Sequence, residues 1–207
     1  RPRGCTGFEC TAPVGGGSLT TPNCSTSQAA AAETAVSNAL GYSTGAKSYF
    51  DSQSWSTVGS RYTTWFGAAA SSRFNTVSSH FAAIRSAFRT APVVVDCDCA
   101  EDYYAYVYPD QPYVIYVCND FWTAPATGTD SKAGTLVHEM SHFNVVAGTD
   151  DHAYGQSACR NLATSQPGMA VANADSHEYF AENTPPLEGG GGGAGTIRFA
   201  AGTSTVD

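Results

Sequence analysis

Charged side chains are scarce in this sequence. Only 14% of the 207 residues are Asp, Glu, Lys or Arg, against about a quarter in an average soluble domain. Lysine is especially rare, since the chain has two lysines, Lys47 and Lys132, but eight arginines. The formal net charge is −8 and no segment concentrates basic residues. Binding to a phosphate backbone is therefore disfavoured, and no nucleic-acid partner is expected.

Long apolar runs are also missing. No stretch approaches the roughly 20 residues needed to span a bilayer, so no membrane partner is expected. The N-terminal residues Arg1-Pro2-Arg3 lack the apolar core of a signal peptide, and we interpret the chain as a mature form. Secretion is favoured by the seven cysteines and the low charge, because disulfides persist in oxidising compartments.

The cysteines predict a disulfide framework. Cys97 and Cys99 are two apart on a predicted strand and point to the same side, so each needs a distant partner. Neither this pair nor Cys5 and Cys10 has zinc-ribbon spacing. Because seven is an odd number, one thiol stays single or pairs outside the chain.

The hydrophobic pattern places helices on both sides of a short β region. Helices are predicted at roughly 27–40, 60–89, 130–147, 155–165 and 170–183, and strands at 92–99 and 103–118, with the segment PDQP as a hairpin turn. His80 lies beside an apolar stripe and is interpreted as structural. We expect an irregular arm over 1–23, one domain over 24–185, and a glycine-rich linker and tail over 186–207.

The strongest chemical signal is the sequence HEMSH. His138 and His142 lie one helical turn apart and so point from the same face of a helix. Two imidazoles at this spacing can share a zinc ion, with Glu139 close enough to reach a water on the metal. The apolar residues on either side indicate a buried helix rather than an accidental pattern on a surface helix. We therefore predict one zinc ion per chain.

Spacing alone leaves the third zinc ligand open. A metzincin would need a histidine where this chain has Gly148. Glu178 would fit a thermolysin-like site, and an aspartate from residues 148–151 would fit a third arrangement. His152 and His177 are not expected as ligands, because a catalytic zinc normally has three protein ligands and one open position.

Three segments carry a family pattern, namely HEMSHF at 138–143, GTDDHAYG at 148–155 and NADSHEYF at 173–180. Together they resemble the deuterolysin-type zinc proteases, or aspzincins, and in particular the peptidyl-Lys metalloendopeptidases. The resemblance covers about residues 24–184. It implies an α+β fold, a helix-rich zincin-type domain with a small, partly antiparallel sheet and an HExxH active-site helix.

The resemblance also implies the roles of individual residues. His138, His142 and Asp151 would bind zinc, and Glu139 would act as general base and general acid. Tyr154 would stabilise the oxyanion of the tetrahedral intermediate. The alternative for Tyr154 is a half-buried aromatic residue without a catalytic role.

Substrate preference and disulfide pairing follow from the same resemblance. Asp175 and Glu178 lie three apart on a predicted helix, so their carboxylates share one face. The resemblance implies that they bind the ammonium group of a substrate lysine, whereas the alternative is a solvated acidic face. The implied disulfides are Cys24–Cys97 and Cys99–Cys118. We further expect Cys5–Cys10 to be bonded and Cys159 to be unpaired, with a bond from Cys159 to the N-terminal arm as the equal alternative.

These features predict a secreted, monomeric zinc endopeptidase that cleaves protein and peptide substrates before lysine. Two other functions stay open. One is the same chemistry with the broad specificity of other deuterolysins. The other is a non-catalytic binding or toxin-like module with a structural zinc, although structural sites are closed and usually cysteine-rich, and Glu139 would have no task in one.

Overall fold

A computed structural model describes residues 12–14 and 17–188. The described helices are α1 (Thr26–Ser52), α2 (Ser60–Phe66), α3 (Ser71–Thr90), α4 (Asn119–Thr123), α5 (Lys132–His142), α6 (Gln156–Ser165), α7 (Pro167–Ala170) and α8 (Ala174–Glu182). The strands are β1 (Ala12–Val14), β2 (Gly17–Thr20), β3 (Pro92–Asp96), β4 (Ala105–Tyr106) and β5 (Val114–Val117). The expected pair Cys5–Cys10 and the tail from residue 189 lie outside the described residues.

The strands form one mixed sheet in the order β1-β2-β3-β5-β4. β3 pairs in parallel with β2 and β5, whereas β4 pairs antiparallel with β5 through the predicted hairpin. The expectation of an irregular arm over residues 1–23 is wrong for Ala12–Val14 and Gly17–Thr20, which form the antiparallel pair β1 and β2. Leu19 is buried against the core, and Ser18 to Thr20 pair with β3. This short strand owes its conformation to its partner, because its own sequence has no alternating pattern.

The helices enclose an aromatic core. Ser25 caps α1, since its hydroxyl group accepts a hydrogen bond from the backbone amide of Gln28. The Gln28 side chain accepts a hydrogen bond from the backbone amide of Ser25 in return. The helical region predicted over 60–89 is divided at Gly67, which has φ +75°. A Cβ atom there would lie 2.0 Å from the carbonyl oxygen of Ala163, so only glycine allows this approach. The apolar side chains predicted as core are buried on both sides of the break, namely Trp65, Phe66, Phe74, Val77, Phe81, Ile84 and Phe88.

Helices α5 and α8 pack together at Gly134. A Cβ atom on Gly134 would lie 2.0 Å from Oε1 of Glu182, so glycine leaves room for this carboxylate. The Glu182 carboxylate accepts hydrogen bonds from Ser131 N (2.9 Å), Ser131 Oγ (2.8 Å) and Asp130 N (3.2 Å). A carboxylate at a helix N-terminus satisfies amides that have no partner within the helix. This contact fixes the HExxH helix against α8.

Two disulfides tie the sheet to its surroundings. Cys24–Cys97 joins the start of α1 to the end of β3, and Cys99–Cys118 closes the segment that contains β4 and β5 and ends at the start of α4. Within the described residues Cys159 is a buried free thiol. No helix in the described part of the chain is long and apolar enough to cross a membrane. The predicted fold class is confirmed, since a helix-rich domain with a small mixed sheet is observed.

Candidate active site

Three side chains converge at the C-terminal end of α5. His138 Nε2 lies 3.1 Å from His142 Nε2 and 3.1 Å from Asp151 Oδ1, and His142 Nε2 lies 3.3 Å from that oxygen. The two histidines are one turn apart on α5, whereas Asp151 follows the turn at Gly148. The structure therefore brings together the three residues for which the sequence resemblance implies metal binding.

The arrangement fits a tetrahedral zinc ion. Zinc bonds of about 2.0–2.1 Å at tetrahedral angles separate neighbouring ligand atoms by about 3.3 Å, close to the three distances observed. His142 Nδ1 donates a hydrogen bond to Thr149 O (2.8 Å), and His138 Nδ1 lies 2.6 Å from Asp175 Oδ1. Both contacts direct the Nε2 lone pairs toward the common point, as outer partners of zinc-binding histidines do.

The electrostatics of these residues agree with a cation site. Burial would lower the pKa of His138, but hydrogen bonds to Asp151, Asp175 and Glu178 outweigh it and raise the pKa well above its ordinary value. Burial would raise the pKa of Asp151, but hydrogen bonds from both histidines hold that pKa well below its usual range. Clustered carboxylates thus favour positive charge at this point.

Glu139 faces the same point from α5. It is buried, and its Oε1 lies 4.0 Å from His138 Nε2. Burial raises the pKa of Glu139, and the two histidines offset part of that rise. A buried carboxyl group beside the histidines, without a hydrogen-bond partner that fixes its proton, suits transfer of a proton to and from a substrate.

Tyr154 covers the open side of the triad. Its ring lies nearly parallel to that of His138, at an interplanar angle of 15° and a centroid distance of 6.4 Å. The side chain is 65% exposed, so Tyr154 is not the half-buried aromatic residue of the alternative. Partial burial and the Asp151 carboxylate raise the pKa of Tyr154 to about 12. Its hydroxyl group is therefore protonated at neutral pH and can donate a hydrogen bond.

Asp175 and Glu178 lie behind His138 on α8. Each is only 6% exposed, so the alternative of a solvated acidic face is wrong. The two oxygens of Asp175 are both engaged, Oδ1 with His138 Nδ1 and Oδ2 with Gly155 N at 2.7 Å. Glu178 Oε2 lies 3.4 Å from His138 Nδ1, and burial raises the pKa of Glu178 to about 7. The two acids thus face both the ligand histidine and the cleft.

The structure assigns a role to Asn173 that the sequence did not reveal. Its Oδ1 accepts hydrogen bonds from His152 N (2.9 Å) and Ala153 N (3.0 Å), in the loop that carries Asp151 and Tyr154. Its Nδ2 donates to two further groups, Cys159 Sγ (3.4 Å) and Ser176 Oγ (3.1 Å). Asn173 is completely buried, so this amide fixes the loop between α5 and α6. Its place in the NADSHEYF segment was the available signal.

The remaining histidines lie away from the triad. His177 is buried, and its Nδ1 donates a hydrogen bond to Asn173 O (2.8 Å). Its Nε2 lies 3.0 Å from Nδ1 of His80. His152 is exposed to solvent. Among the described residues, neither is part of the cluster formed by His138, His142 and Asp151.

A cleft of about 670 Å³ opens onto the triad. One wall is the segment around β4, and the opposite wall is formed by α5 and α8. The acidic side chains that line it are Asp130, Glu139, Asp151, Asp175 and Glu178. Fold and site together define a zincin-type metallopeptidase domain with an acidic cleft.

Comparisons with known proteins narrow this class to one family. The family model for lysine-specific metallo-endopeptidases, Aspzincin_M35, matches residues 51–182. A peptidyl-Lys metalloendopeptidase of Pleurotus ostreatus is 48% identical over 165 residues, which is 79% of this chain and 96% of that protein. An extracellular protease of Aeromonas hydrophila is 60% identical over 127 residues, 61% of this chain but only 37% of that protein. The chain belongs to the aspzincin family of metallo-endopeptidases.

A solved structure agrees with this assignment. The zinc peptidase from Grifola frondosa is 47% identical in sequence and superposes with a TM-score of 0.75, covering 79% of this chain and 99% of that one. The resemblance inferred from the three sequence segments is confirmed.

Proposed function

We propose that this protein is a secreted zinc endopeptidase that hydrolyses peptide bonds on the N-terminal side of lysine. The observation that carries the proposal is the convergence of His138, His142 and Asp151 at mutual distances of 3.1–3.3 Å, beside Glu139. These three residues would hold a zinc ion, which would supply a Lewis acid for polarising the scissile carbonyl and activating water. Three protein ligands leave one position open, which distinguishes a catalytic site from a structural one.

The residues of the chain carry the proton transfers. Glu139 accepts a proton from the attacking water, and the water oxygen forms a bond to the carbonyl carbon. Tyr154 donates a hydrogen bond to the oxyanion that develops. It can do so because its raised pKa keeps the phenol protonated. Glu139 then gives its proton to the leaving amine as the peptide C–N bond breaks. The burial of Glu139 suits this exchange, because burial raises its pKa toward neutrality.

Glu178 and Asp175 supply the lysine preference. Both are buried acids on the cleft wall, and burial raises the pKa of Glu178 to about 7. Two carboxylates in such a setting are stabilised by an incoming ammonium, whose three donors can reach both. Because Asp175 already binds His138 and Gly155 N, Glu178 has the freer carboxylate for this contact. Arginine fits less well, since its larger planar group needs a different shape.

An extended substrate fits along β4. Among the described strands β4 is the last of the sheet and pairs with β5 alone, and Ala105 in it and Val107 after it line the cleft. A peptide that adds to this free edge gains main-chain hydrogen bonds while its side chains alternate between two faces. Secretion is supported by the two disulfides and by the Aeromonas relative, which is named an extracellular protease.

Mass spectrometry of the termini released from a denatured protein mixture tests the proposal. We expect new N-termini to begin with lysine, activity to disappear with a chelator, and zinc to restore it. Termini without lysine enrichment would leave an endopeptidase of broad specificity. A protein that binds zinc but releases no termini would be the non-catalytic module instead.

A further inference from the structure

Three tyrosines form a continuous aromatic surface next to the cleft. The rings of Tyr106 and Tyr116 stack at a centroid distance of 4.7 Å and an angle of 9°. Tyr108 meets both edge-on, at 5.7 Å from Tyr106 and 6.0 Å from Tyr116. We call Tyr106, Tyr108 and Tyr116 the tyrosine ledge. Neither the proposed metal chemistry nor the lysine preference uses these rings.

The ledge lies on the face of the sheet that points away from the core. Tyr106 and Tyr116 are direct partners in the β4–β5 pair, so their side chains share one face. The alternate residue Val117 is fully buried on the other face. Tyr108 is 48% exposed. Tyr108 therefore presents part of its ring to solvent, where another planar group can stack on it. Exposed aromatic rings of this kind are typical of binding surfaces.

The ledge is acidic at its inner end. Tyr116 pairs with Asp96 of β3, so that carboxylate lies on the same face as the rings. Asp96 accepts hydrogen bonds from Asn23 Nδ2 and Asp98 N, both at 2.9 Å, which fix its position. The chain as a whole carries a net charge of −8. A cationic planar group would therefore find both stacking and charge complementarity here.

The ledge is continuous with the cleft across a single strand. Tyr106 lines the cleft and also stacks on Tyr116. A peptide on the free edge of β4 would direct every second side chain into the cleft, on the side of Ala105 and Val107. The intervening side chains would point to the opposite face, where the ledge lies. With the substrate lysine in the cleft, its two immediate neighbours in sequence fall on the ledge side.

We propose that the tyrosine ledge is a second substrate subsite, which binds an arginine side chain directly before or after the lysine at the cleaved bond. This inference rests on the proposed lysine-directed cleavage. Arginine is favoured over a neutral aromatic residue because its guanidinium stacks on a phenol ring and is attracted by Asp96. Residues two positions from the lysine share its face and do not reach the ledge.

Cleavage of matched peptides tests the subsite. Each peptide contains one lysine, and arginine, citrulline, phenylalanine or alanine occupies either the position next to it or a position two residues away. Citrulline keeps the planar shape of arginine without its charge. For the adjacent position we expect kcat/KM to be about 2–5-fold higher with arginine than with alanine or citrulline, the scale of an exposed cation–π contact. Arginine two residues away should give no gain.

Variants locate the effect on the ledge. Tyr108→Ser removes an exposed ring, and Tyr116→Leu removes a stacking ring while keeping apolar bulk, so neither depends on a residue that lines the cleft. Each should reduce the arginine preference toward 1 and leave cleavage of the alanine peptide nearly unchanged. Trp55→Ser is the matched control, because Trp55 is 49% exposed outside the ledge.

Three results would overturn the subsite. These are equal rates for arginine and alanine peptides in the wild type, a preference for phenylalanine over arginine, and an arginine preference that survives both tyrosine variants. If no peptide is cut before lysine, whatever its neighbour, the proposed function itself has failed. The two failures are therefore distinguishable in one set of assays.

Discussion

His138 Nδ1 and Asp175 Oδ1 lie 2.6 Å apart, which joins the first histidine of the HExxH helix to an acid of α8. Asp175 is therefore placed to orient a metal ligand, in addition to the lysine recognition that the sequence resemblance implies. Its second oxygen accepts from Gly155 N, next to Tyr154. One carboxylate thus links His138, the loop that carries Tyr154, and α8.

Replacing each acid separates these two roles. Asp175→Asn should weaken zinc binding by about 10–100-fold, the usual effect of losing an outer partner of a ligand histidine. It should also reduce the preference for lysine over other residues by about 10–200-fold. Glu178→Gln is the matched comparison. Because its contact with His138 is longer, at 3.4 Å, it should reduce lysine preference while zinc affinity changes little.

Zinc competition assays and kcat/KM on paired peptides give the two readouts. If Asp175→Asn kept wild-type zinc affinity, the positioning role would be wrong. If both variants kept full lysine preference, recognition of the ammonium would have to lie elsewhere on the cleft wall.

Glu139 should be indispensable for the rate but not for metal binding. Glu139→Gln preserves size and removes the ability to accept a proton, so kcat should fall by about 10²–10⁴-fold. Zinc content should stay at that of the wild type, because Glu139 is not one of the three converging ligands. Atomic spectroscopy and steady-state kinetics on the same preparation measure both. Near-wild-type activity would exclude Glu139 as the base.

The helices and the metal motif could be predicted because they are local. Helix-forming composition placed the first half of α1, over 27–40 of Thr26–Ser52, and the helical pattern placed α3, α5 and α8. The spacing of HEMSH put two histidines on one face without tertiary information. β2 was missed because only Leu19 of its four residues is buried, and the strand exists through its partner. The break at Gly67 was missed because it depends on a close approach by Ala163.

Parts of the site that depend on tertiary contacts were not predictable. Spacing alone left Asp151 as one of several candidates for the third position of the triad. The conformation of the loop after Gly148 brings Asp151 to the two histidines. Apart from its place in the NADSHEYF segment, the sequence does not indicate what Asn173 does, because its amide bonds to loop and helix residues 14 to 21 positions away. Polar side chains that are buried and fully bonded reveal their function only in three dimensions.

Asn173 should control the placement of Asp151 and Tyr154. Asn173→Ala leaves the amides of His152 and Ala153 without acceptors, so the loop should loosen, and zinc affinity should fall by about 10–100-fold. Asn173→Asp keeps an acceptor oxygen and should recover much of that loss. Ser176→Ala, which removes only a partner of Nδ2, is the control.

Hydrogen exchange of the loop and zinc titration measure these effects independently of turnover. Faster exchange over residues 150–155 is expected in Asn173→Ala and not in Ser176→Ala. Wild-type zinc affinity in a folded Asn173→Ala protein would contradict the role of this amide.

His177 should make the protein less stable in mild acid. Burial, together with the neighbouring His80, lowers the pKa of His177 to about 3, whereas an unfolded histidine has a pKa of about 6.5. Between these values the unfolded chain binds the extra proton, so stability is full above pH 6.5 and is lost as the pH falls toward 3. The slope for one group reaches about 1.36 kcal/mol per pH unit.

Unfolding of wild type and His177→Gln over this range gives the measurement. The difference between the two proteins removes the contribution of the metal ligands, which is common to both, and it should shrink as the pH falls. His152→Gln, at an exposed position, is the control for replacing a histidine by glutamine. A difference that stays constant with pH would mean that His177 does not stay neutral in the folded protein.

The scarcity of lysine bears on self-cleavage. A charge-poor composition explains few lysines and few arginines together, but not two lysines against eight arginines. Both lysines lie in helices, with Lys47 within α1, paired with Asp51, and Lys132 at the start of α5, bonded to Ala124 O. A bond inside a helix is cut only when the helix opens.

Slow autolysis of concentrated enzyme should therefore yield fragments that begin at Lys47 or Lys132. The double variant Lys47→Arg and Lys132→Arg should abolish those fragments. Major fragments that begin at other residues would contradict the hypothesis that the protein has few lysines because it cleaves before lysine.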